Sequence, residues 1–230
     1  MKPHVICHML SSVDGRILNS RWRPRFDSAD LFERLHDEIG GDAWLVGRVT
    51  GQEFAKRETP YPERPDAGLP RENWFARRDA KAWGVVLDAQ GRIAWGRADI
   101  GGDPIVVVLT ETVSDSHLAG LREEGVSYVF AGEREIDLAV ALETLNHELG
   151  VKRLLMEGGG GANGSLLRAG LIDELSLVVC PVVDGAQGAP SVFDGDAEAG
   201  RAPVSAMSLI SCQTLDDGAV WLRYRLASET

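Results

Sequence analysis

The sequence lacks any apolar run long enough to span a membrane, and its start lacks the apolar stretch and cleavage site of a secretory signal. A membrane-spanning helix needs about 20 apolar residues. Basic residues are also in deficit, since 24 Lys and Arg stand against 35 Asp and Glu for a net charge of −11. An acidic surface repels phosphate backbones. We therefore expect a cytoplasmic protein that binds neither membranes nor nucleic acids.

Cysteine is rare, and two metal or nucleotide signatures are missing. Cys7, Cys180 and Cys212 lie far apart in apolar runs, so we expect reduced thiols in the core. The sequence has no Walker lysine and no zinc signature of the nucleobase deaminases. His4 and His8 would lie about 13 Å apart along a strand, too far to share an ion. We expect no metal site.

Short apolar runs rich in valine, leucine and isoleucine recur along the chain. Such runs are typical of parallel strands buried on both faces. The predicted strands are Val5–Leu10, Ala43–Val46, Val85–Asp88, Ile105–Thr110, Val126–Phe130, Arg153–Met156 and Leu175–Pro181. Apolar residues at three- and four-residue spacing predict helices at Ser28–Ile39 and Asp137–Leu149. The alternation of strands and helices predicts an α/β fold.

The C-terminal part of the chain has a different pattern. Pro203–Cys212 and Ala219–Leu226 flank residues 215–218, whose Asp-Gly pair is a strong hairpin signal. A mainly parallel sheet is thus expected to end in an antiparallel hairpin. No linker divides the chain, so residues 1–230 are predicted to form one domain. Four prolines in Lys56–Pro70 indicate a long ordered loop, either a binding lid or a plain surface excursion.

The most informative segment is a glycine-rich turn at residues 156–170. A strand ends at Met156, and Glu157 precedes four consecutive glycines and a short helix that Gly170 ends. Glycines let a ligand approach the backbone amides closely, and a helix N-terminus attracts anions. We interpret this turn as a site for a dinucleotide pyrophosphate, beside a carboxylate at a strand end. The alternative is a tight turn that binds nothing.

Three sequence elements, in this order, carry a resemblance to a known family. They are SVDGRI at residues 12–17, GRVT at residues 47–50, and EGGGGANG at residues 157–164 with LLRAGLIDEL at residues 166–175. Together they resemble the signatures of the pyrimidine reductases of riboflavin biosynthesis, which form the reductase domain of the bifunctional deaminase–reductase. The resemblance implies a dihydrofolate-reductase-like, three-layer αβα fold with a mixed, mainly parallel central sheet. It also implies an NADPH-dependent reductase.

The resemblance further implies which residues contact the cofactor. These residues are Gly47, Arg48, Thr50, Thr110, Gly158, Gly159, Gly160, Gly161 and Asn163. The consecutive glycines would hold the phosphates of NADPH. Arg48 would lie at the adenosine end, where a planar guanidinium suits the 2′-phosphate, although a solvated surface arginine is the alternative. Thr110 would contact the adenosine ribose.

On the substrate side, the resemblance implies that Ser12, Asp14 and Glu157 bind a phosphorylated ribosylamino-pyrimidine, or a related heterocycle, whose C1′ accepts hydride. Asp14 has a competing interpretation as an ordinary Asp-Gly turn residue. Where much of the family has a lysine in the first strand, this chain has His8. An imidazole can supply the proton that accompanies hydride, so the predicted catalytic residues are His8, Asp14 and Glu157. A hydrogen-bonded core histidine is the alternative.

Two other functions stay open from the sequence. A dihydrofolate reductase needs a carboxylate on its first long helix, and that predicted helix carries Asp30, Glu33, Asp37 and Glu38. A non-catalytic nucleotide-binding sensor on the same fold is the other alternative. The exposed edge of the C-terminal hairpin, together with the dimers common in the family, predicts a homodimer.

Overall fold

A computed structural model describes residues 1–64, 68–195 and 202–228 of the chain. The chain forms two compact units, one of residues 1–3 and 42–152, the other of residues 4–41 and 153–230. The helices are α1 (Ala29–Ile39), α2 (Arg48–Phe54), α3 (Asp115–Glu124), α4 (Leu138–Leu149) and α5 (Gly160–Arg168). The strands are β1 (His4–Ser11), β2 (Ala43–Gly47), β3 (Trp83–Leu87), β4 (Asp99–Ile100), β5 (Asp103–Leu109), β6 (Ser127–Phe130), β7 (Arg153–Met156), β8 (Glu174–Val179), β9 (Val204–Thr214) and β10 (Val220–Ser228).

The first unit contains a parallel sheet in the order β2-β3-β5-β6. The short β4 adds an antiparallel pair at the start of β5. Val85 and Val106 are neighbours in this sheet and are fully buried, as strands covered on both faces require. The helix ends follow from local chemistry. Asp137 caps α4 by accepting a hydrogen bond from the Val140 amide, and Gly150 ends it in the left-handed conformation.

The second unit contains the parallel strands β7, β1 and β8, followed by the antiparallel strands β10 and β9. The turn between β9 and β10 has Asp217 and Gly218 in the left-handed region, with φ values of 61° and 80°. Asparagine, aspartate and glycine tolerate that region best, which is why the Asp-Gly pair predicts the hairpin. The predicted α/β architecture with a mainly parallel sheet and an antiparallel C-terminal hairpin is confirmed. That residues 1–230 form a single domain stays a prediction.

Every predicted strand is present, with bounds that differ by no more than two residues. Helix α3 is an addition to the predicted elements. Its sequence, DSHLAGLREE, has few apolar residues and an internal glycine, so it shows little helical periodicity. The glycine has a packing reason, because a Cβ on Gly120 would lie 2.2 Å from the ring of Tyr61. Part of what specifies α3 is therefore a contact from a distant loop.

That loop is the proline-rich segment predicted at residues 56–70, of which residues 65–67 lie outside the described part of the chain. Its Tyr61 hydroxyl donates a 2.5 Å hydrogen bond to Glu124 and accepts a 3.1 Å hydrogen bond from the Trp95 amide. The Leu69 amide donates to Asp115 at the start of α3. These bonds anchor both described ends of the loop, which favours the surface excursion over the lid.

The prediction of three core thiols is wrong for one of them. Cys7 and Cys180 are buried, whereas Cys212 is exposed on β9. The apolar run that contains Cys212 belongs to a strand whose residues are mostly exposed, so hydrophobic sequence alone did not indicate burial. Among the helices of the described residues, none has the length and apolarity to cross a membrane.

Candidate active site

The glycine turn follows β7 and leads into α5, as the sequence predicts. Gly158 and Gly159 have φ values of 149° and 39°, which side chains rarely adopt, and Gly159 is the N-cap of α5. Gly161 lies in the first turn of the helix and is exposed. A Cβ built on Gly161 would have no heavy atom within 4 Å. The helix surface at Gly161 is therefore open to a ligand.

The opposite side of the turn is closed by the segment Ser191–Gly195. A Cβ on Gly160 would lie 2.2 Å from the Ser191 carbonyl oxygen, and a Cβ on Gly164 would lie 1.8 Å from the Asp194 carbonyl oxygen. The Asp194 amide donates a 2.9 Å hydrogen bond to the Gly160 carbonyl. Gly160 and Gly164 thus allow one backbone to pack against another. This is the tight-turn alternative, and it accounts for these two glycines but not for Gly161.

Asn163 was predicted to contact the cofactor, but the structure buries it completely against the same segment. Its Nδ2 donates a 2.8 Å hydrogen bond to the Val192 carbonyl. Its Oδ1 is buried and has no hydrogen-bond partner among the described residues. The side chain fixes residues 191–195 to α5, which favours a structural role for Asn163, and its contact with the cofactor stays a prediction.

We expect Gly164→Ala to destabilise the protein by about 1–3 kcal/mol, the usual cost of forcing an extra methyl group into a packed site. The new Cβ would overlap the Asp194 carbonyl, a backbone atom that cannot move aside as a side chain can. The free energy of unfolding from chemical denaturation measures the effect. Gly161→Ala is the control, because the space around that position is empty. Equal stability of the two variants would contradict this account of Gly164.

Glu157 follows β7 directly and has a partner that the sequence analysis missed. Its Oε1 lies 2.7 Å from Nδ1 of His36 on α1. The Glu157 side chain is 8% exposed and the His36 side chain 24%. The hydrogen bond and the negative charge of Glu157 raise the pKa of His36. No local pattern in the sequence indicates this pairing, because the two residues are 121 positions apart.

His8 lies in the middle of β1 and is fully buried. Its Nδ1 lies 3.0 Å from the Ser176 hydroxyl, which also accepts a 2.8 Å hydrogen bond from Nε1 of Trp221. The Ser176 oxygen can accept from Trp221 and also either donate to His8 Nδ1 or accept from it, depending on the tautomer of the ring. The other ring nitrogen, Nε2, has no hydrogen-bond partner among the described residues. The ring stacks on Phe32 at a centroid distance of 4.7 Å.

Burial determines the charge of His8. The pKa of the imidazole is lowered to about 4 mainly by burial, which a hydrogen bond with Ser176 opposes and the nearby His36 reinforces. At neutral pH His8 is thus an uncharged ring inside the sheet. The geometry favours the core-histidine alternative over a proton-donating imidazolium at this position.

Ser12 and Asp14 form a turn after β1 that ties two loops together. The Ser12 hydroxyl donates a 2.7 Å hydrogen bond to Asp14, whose carboxylate also accepts from the amides of Asp184 and Gly185 at 3.1 Å and 2.9 Å. These donors hold the pKa of Asp14 well below its usual range. The bonds agree with the competing interpretation of Asp14 as a turn residue, although its carboxylate is still exposed to solvent.

A second cluster lies within the first unit, where a cavity of about 290 Å³ is lined by Arg48 at the start of α2, Asp88 after β3 and Arg92. The Asp88 carboxylate accepts hydrogen bonds of 2.7 Å and 2.8 Å from the amides of Arg92 and Ile93. Its other oxygen, Oδ1, is buried without a hydrogen-bond partner among the described residues. Burial raises the pKa of Asp88, against the opposing charges of the two arginines. The cavity combines two guanidinium groups with one carboxyl group.

The other predicted cofactor residues of this unit have structural roles as well. Gly47 is the N-cap of α2, and Thr50 lies in its first turn, half-buried. Thr110 is fully buried, and its hydroxyl donates a 2.7 Å hydrogen bond to the Ala89 carbonyl and contacts Thr112. The Thr110 hydroxyl thus joins the end of β5 to the loop after β3. It already has protein partners, which weakens its predicted contact with a ribose.

Comparison with known proteins gives one family and relatives of one name. The chain matches the RibD C-terminal domain family over residues 3–221. It is 30% identical over 198 residues to the 2,5-diamino-6-ribosylamino-4(3H)-pyrimidinone 5′-phosphate reductase of Methanothermobacter thermautotrophicus, with 85% of this chain and 86% of the relative covered. An Archaeoglobus fulgidus protein of the same name is 26% identical over 200 residues, covering 85% of this chain and 88% of the relative.

Solved structures share the fold. A pyrimidine reductase-like protein of Corynebacterium diphtheriae superposes with a TM-score of 0.70 at 18% identity, covering 99% of this chain and 93% of that one. A riboflavin biosynthesis reductase of Saccharomyces cerevisiae gives a TM-score of 0.62 at 18% identity, with 98% and 90% covered. These likenesses show that the chain shares their fold. The chain belongs to the RibD C-terminal domain family, which confirms the family that its motifs predict.

Proposed function

We propose that this chain is an NADPH-dependent reductase of a ribosylamino-pyrimidine 5′-phosphate, of the kind that riboflavin biosynthesis requires. Two relatives that match 85% of the chain carry the name of such a reductase. The observation that carries the proposal is the position of Glu157, which ends a parallel strand directly before a glycine turn with one open side. Open α/β sheets place ligands at such strand ends.

Within the second unit, the glycine turn is the proposed phosphate site. The fit rests on Gly161. The backbone is exposed there, at the start of α5, and no neighbouring side chain fills the space that a ligand would need. The amides of a first helical turn have no partner within the helix and attract anions. The nicotinamide cofactor supplies hydride to the substrate when it is bound. We propose that Gly158, Gly159 and Gly161 bind its phosphates, with Gly160 shaping the turn.

Within the first unit, Arg48 is the proposed partner of the 2′-phosphate that distinguishes NADPH from NADH. It lines the cavity at the start of α2, and a guanidinium can bind phosphate through paired hydrogen bonds. Gly47 and Thr50 belong to the same turn, and Thr110 lies at the end of β5. We retain these three as proposed contacts of the adenosine end.

On the substrate side, Glu157 is the residue with the strongest support. Its carboxylate can accept hydrogen bonds from sugar hydroxyls or pyrimidine N–H groups, which are the donors of a ribosylamino-pyrimidine. Ser12 and Asp14 are proposed to contribute by fixing the loop after β1, and the Asp14 carboxylate is exposed enough to accept a further donor. His8 is proposed to support this side of the sheet from within the core.

The proposal predicts a specific activity. Purified protein should oxidise NADPH, followed at its absorbance maximum, when 2,5-diamino-6-ribosylamino-4(3H)-pyrimidinone 5′-phosphate or 5-amino-6-(5-phosphoribosylamino)uracil is added. Dihydrofolate should give no such oxidation, and NADH should be a poorer donor because it lacks the 2′-phosphate. Tight NADPH binding without turnover of either pyrimidine would favour the sensor alternative and contradict the enzyme. Turnover of dihydrofolate alone would favour the other reductase.

We propose in addition that the protein is a cytoplasmic homodimer. Strand β9 lies at one end of the strand order of the second unit and carries the exposed apolar residues Met207, Leu209 and Ile210. An exposed edge strand with apolar side chains is commonly covered by a partner, and a second copy of the chain is the simplest one.

A further inference from the structure

His36 and Glu157 form an acid–base pair that the sequence motifs do not include. His36 lies on α1, and Glu157 directly follows β7. The 2.7 Å distance between Nδ1 and Oε1 is that of a charge-assisted hydrogen bond. Glu157 is nearly enclosed, whereas a quarter of the His36 side chain remains exposed. The pair therefore joins an enclosed carboxylate to a group that solvent can reach.

The surroundings of His36 favour its charged form. Glu33 and Asp37 lie on its own helix, and both raise its pKa together with Glu157. From β1 the facing titratable group is His8, which is neutral at pH 7 because burial lowers its pKa to about 4. Cys7, also on β1, faces Glu157, and burial raises the pKa of its thiol, so it too is neutral. The carboxylates around His36 thus favour its charged form, while the neighbouring His8 and Cys7 are neutral.

We propose that His36 is a positioning residue that keeps Glu157 supplied with the proton required by the reduction. The inference rests on the proposed function. When C1′ of the opened, imine form of the ribosylamine accepts hydride, a C–H bond forms and the π electrons of the C=N bond move to nitrogen. That nitrogen must then gain one proton. Nδ1 of His36 donates its proton to the Glu157 carboxylate, which passes a proton on to the substrate nitrogen, so His36 becomes neutral and Glu157 is ionised again.

The positions of Glu157, His36 and His8 support this proton path. Glu157 is the group proposed to touch the substrate, so it makes the transfer, and His36 acts through it. The exposed quarter of His36 allows the imidazole to regain its proton from water. His8 cannot take this part at neutral pH, since it is uncharged and enclosed by Phe32 and Ser176.

A titration of the ligand-free protein tests the pair without any turnover. Histidine ring signals followed by NMR between pH 4 and 9, a range of about two units around the ordinary imidazole pKa, give the pKa of His36. We expect Glu157→Gln to lower the pKa of His36, because the hydrogen bond and charge of the carboxylate are lost. The matched control is the exposed pair of His147 and Glu148, with 3.2 Å between Nδ1 and Oε1. His147 should titrate identically in both proteins.

The second measurement is the pH dependence of kcat/KM for His36→Gln. Glutamine can still donate a hydrogen bond to Glu157 but cannot carry a proton to it. Wild-type kcat/KM should fall as the pH rises through the pKa of His36, since the imidazolium is lost. In His36→Gln this decline should be absent, and kcat/KM at pH 7 should be lower by about 10- to 100-fold, the usual size of a general-acid effect. The Kd of NADPH should stay within about twofold, and His147→Gln should match wild type.

Different outcomes separate the two proposals. A wild-type protein that reduces the pyrimidine while His36→Gln keeps the wild-type pH profile would overturn the role of His36 and leave the proposed function intact. An unchanged His36 pKa in Glu157→Gln would also overturn it. A wild-type protein that binds NADPH but reduces no pyrimidine would contradict the proposed function, and the proton path would fail with it.

Discussion

Replacing Gly161 by aspartate is expected to weaken NADPH binding by more than tenfold while the protein stays folded. Gly161 lies in the first turn of α5, is exposed, and has room for a side chain because no heavy atom lies within 4 Å of its Cβ position. A carboxylate at a helix N-terminus stabilises the helix, so the fold should tolerate it. The same negative charge would lie where the proposed phosphate binds, and two negative charges in close proximity repel each other strongly.

Titration calorimetry with NADPH measures this effect, and Gly161→Asn is the matched control. Asparagine has the size of aspartate without its charge, so a loss of affinity confined to Gly161→Asp identifies an anion as the ligand. Equal losses in both variants would instead indicate a steric effect. Wild-type affinity in folded Gly161→Asp would remove the glycine turn from the cofactor site.

Replacing Glu157 by glutamine is expected to reduce kcat/KM by about 100-fold, within the range for loss of a general acid or base. Glutamine has nearly the same shape, but it carries no charge and cannot pass a proton to the substrate. The Kd of NADPH should change less than twofold, which is the pattern of a group that acts on the substrate. Steady-state kinetics with the ribosylamino-pyrimidine phosphate, together with calorimetry, give both values.

Glu148→Gln provides the control, because Glu148 on α4 is also paired with a histidine but takes part in none of the proposed contacts. Its kinetics should be those of wild type. If Glu157→Gln instead lost NADPH affinity at unchanged kcat, Glu157 would belong to the cofactor and the substrate assignment would be wrong.

The fold was predictable because its strands are buried on both faces and therefore appear as short apolar runs. The run Ile105–Leu109 is such a case, and every residue of it is fully buried in β5. Helix α4 was equally clear, because Asp137 and Gly150 mark its ends with capping chemistry. The predicted burial of Cys212 was wrong because the local sequence does not show whether a strand lies in the core or at an edge. An apolar residue in an edge strand has the same local sequence as one in the core, and only the neighbouring strands decide which it is.

The site was predictable only where one stretch of chain carries the chemistry. Glu157 and Gly161 are separated by three residues, so the sequence alone places them at one turn. The partner of Glu157 is His36, 121 residues earlier, and the pairing depends on how α1 packs near the end of β7. The segment around Asp194 is similar, because its contact with Gly160 and Gly164 requires a close approach of two backbones. No local pattern records such long-range contacts.

The exposed position of Cys212 has a practical consequence for labelling. Burial raises the pKa of Cys180 to about 11 and that of Cys7 still further, which suppresses their thiolates, while Cys212 stands on the surface of β9. Alkylating reagents attack accessible thiolates, so a maleimide dye should modify one sulfur per polypeptide in the unaltered protein. A fluorophore attached there would sit on the outermost strand of the hairpin, where energy transfer between copies could report their association without any engineered cysteine.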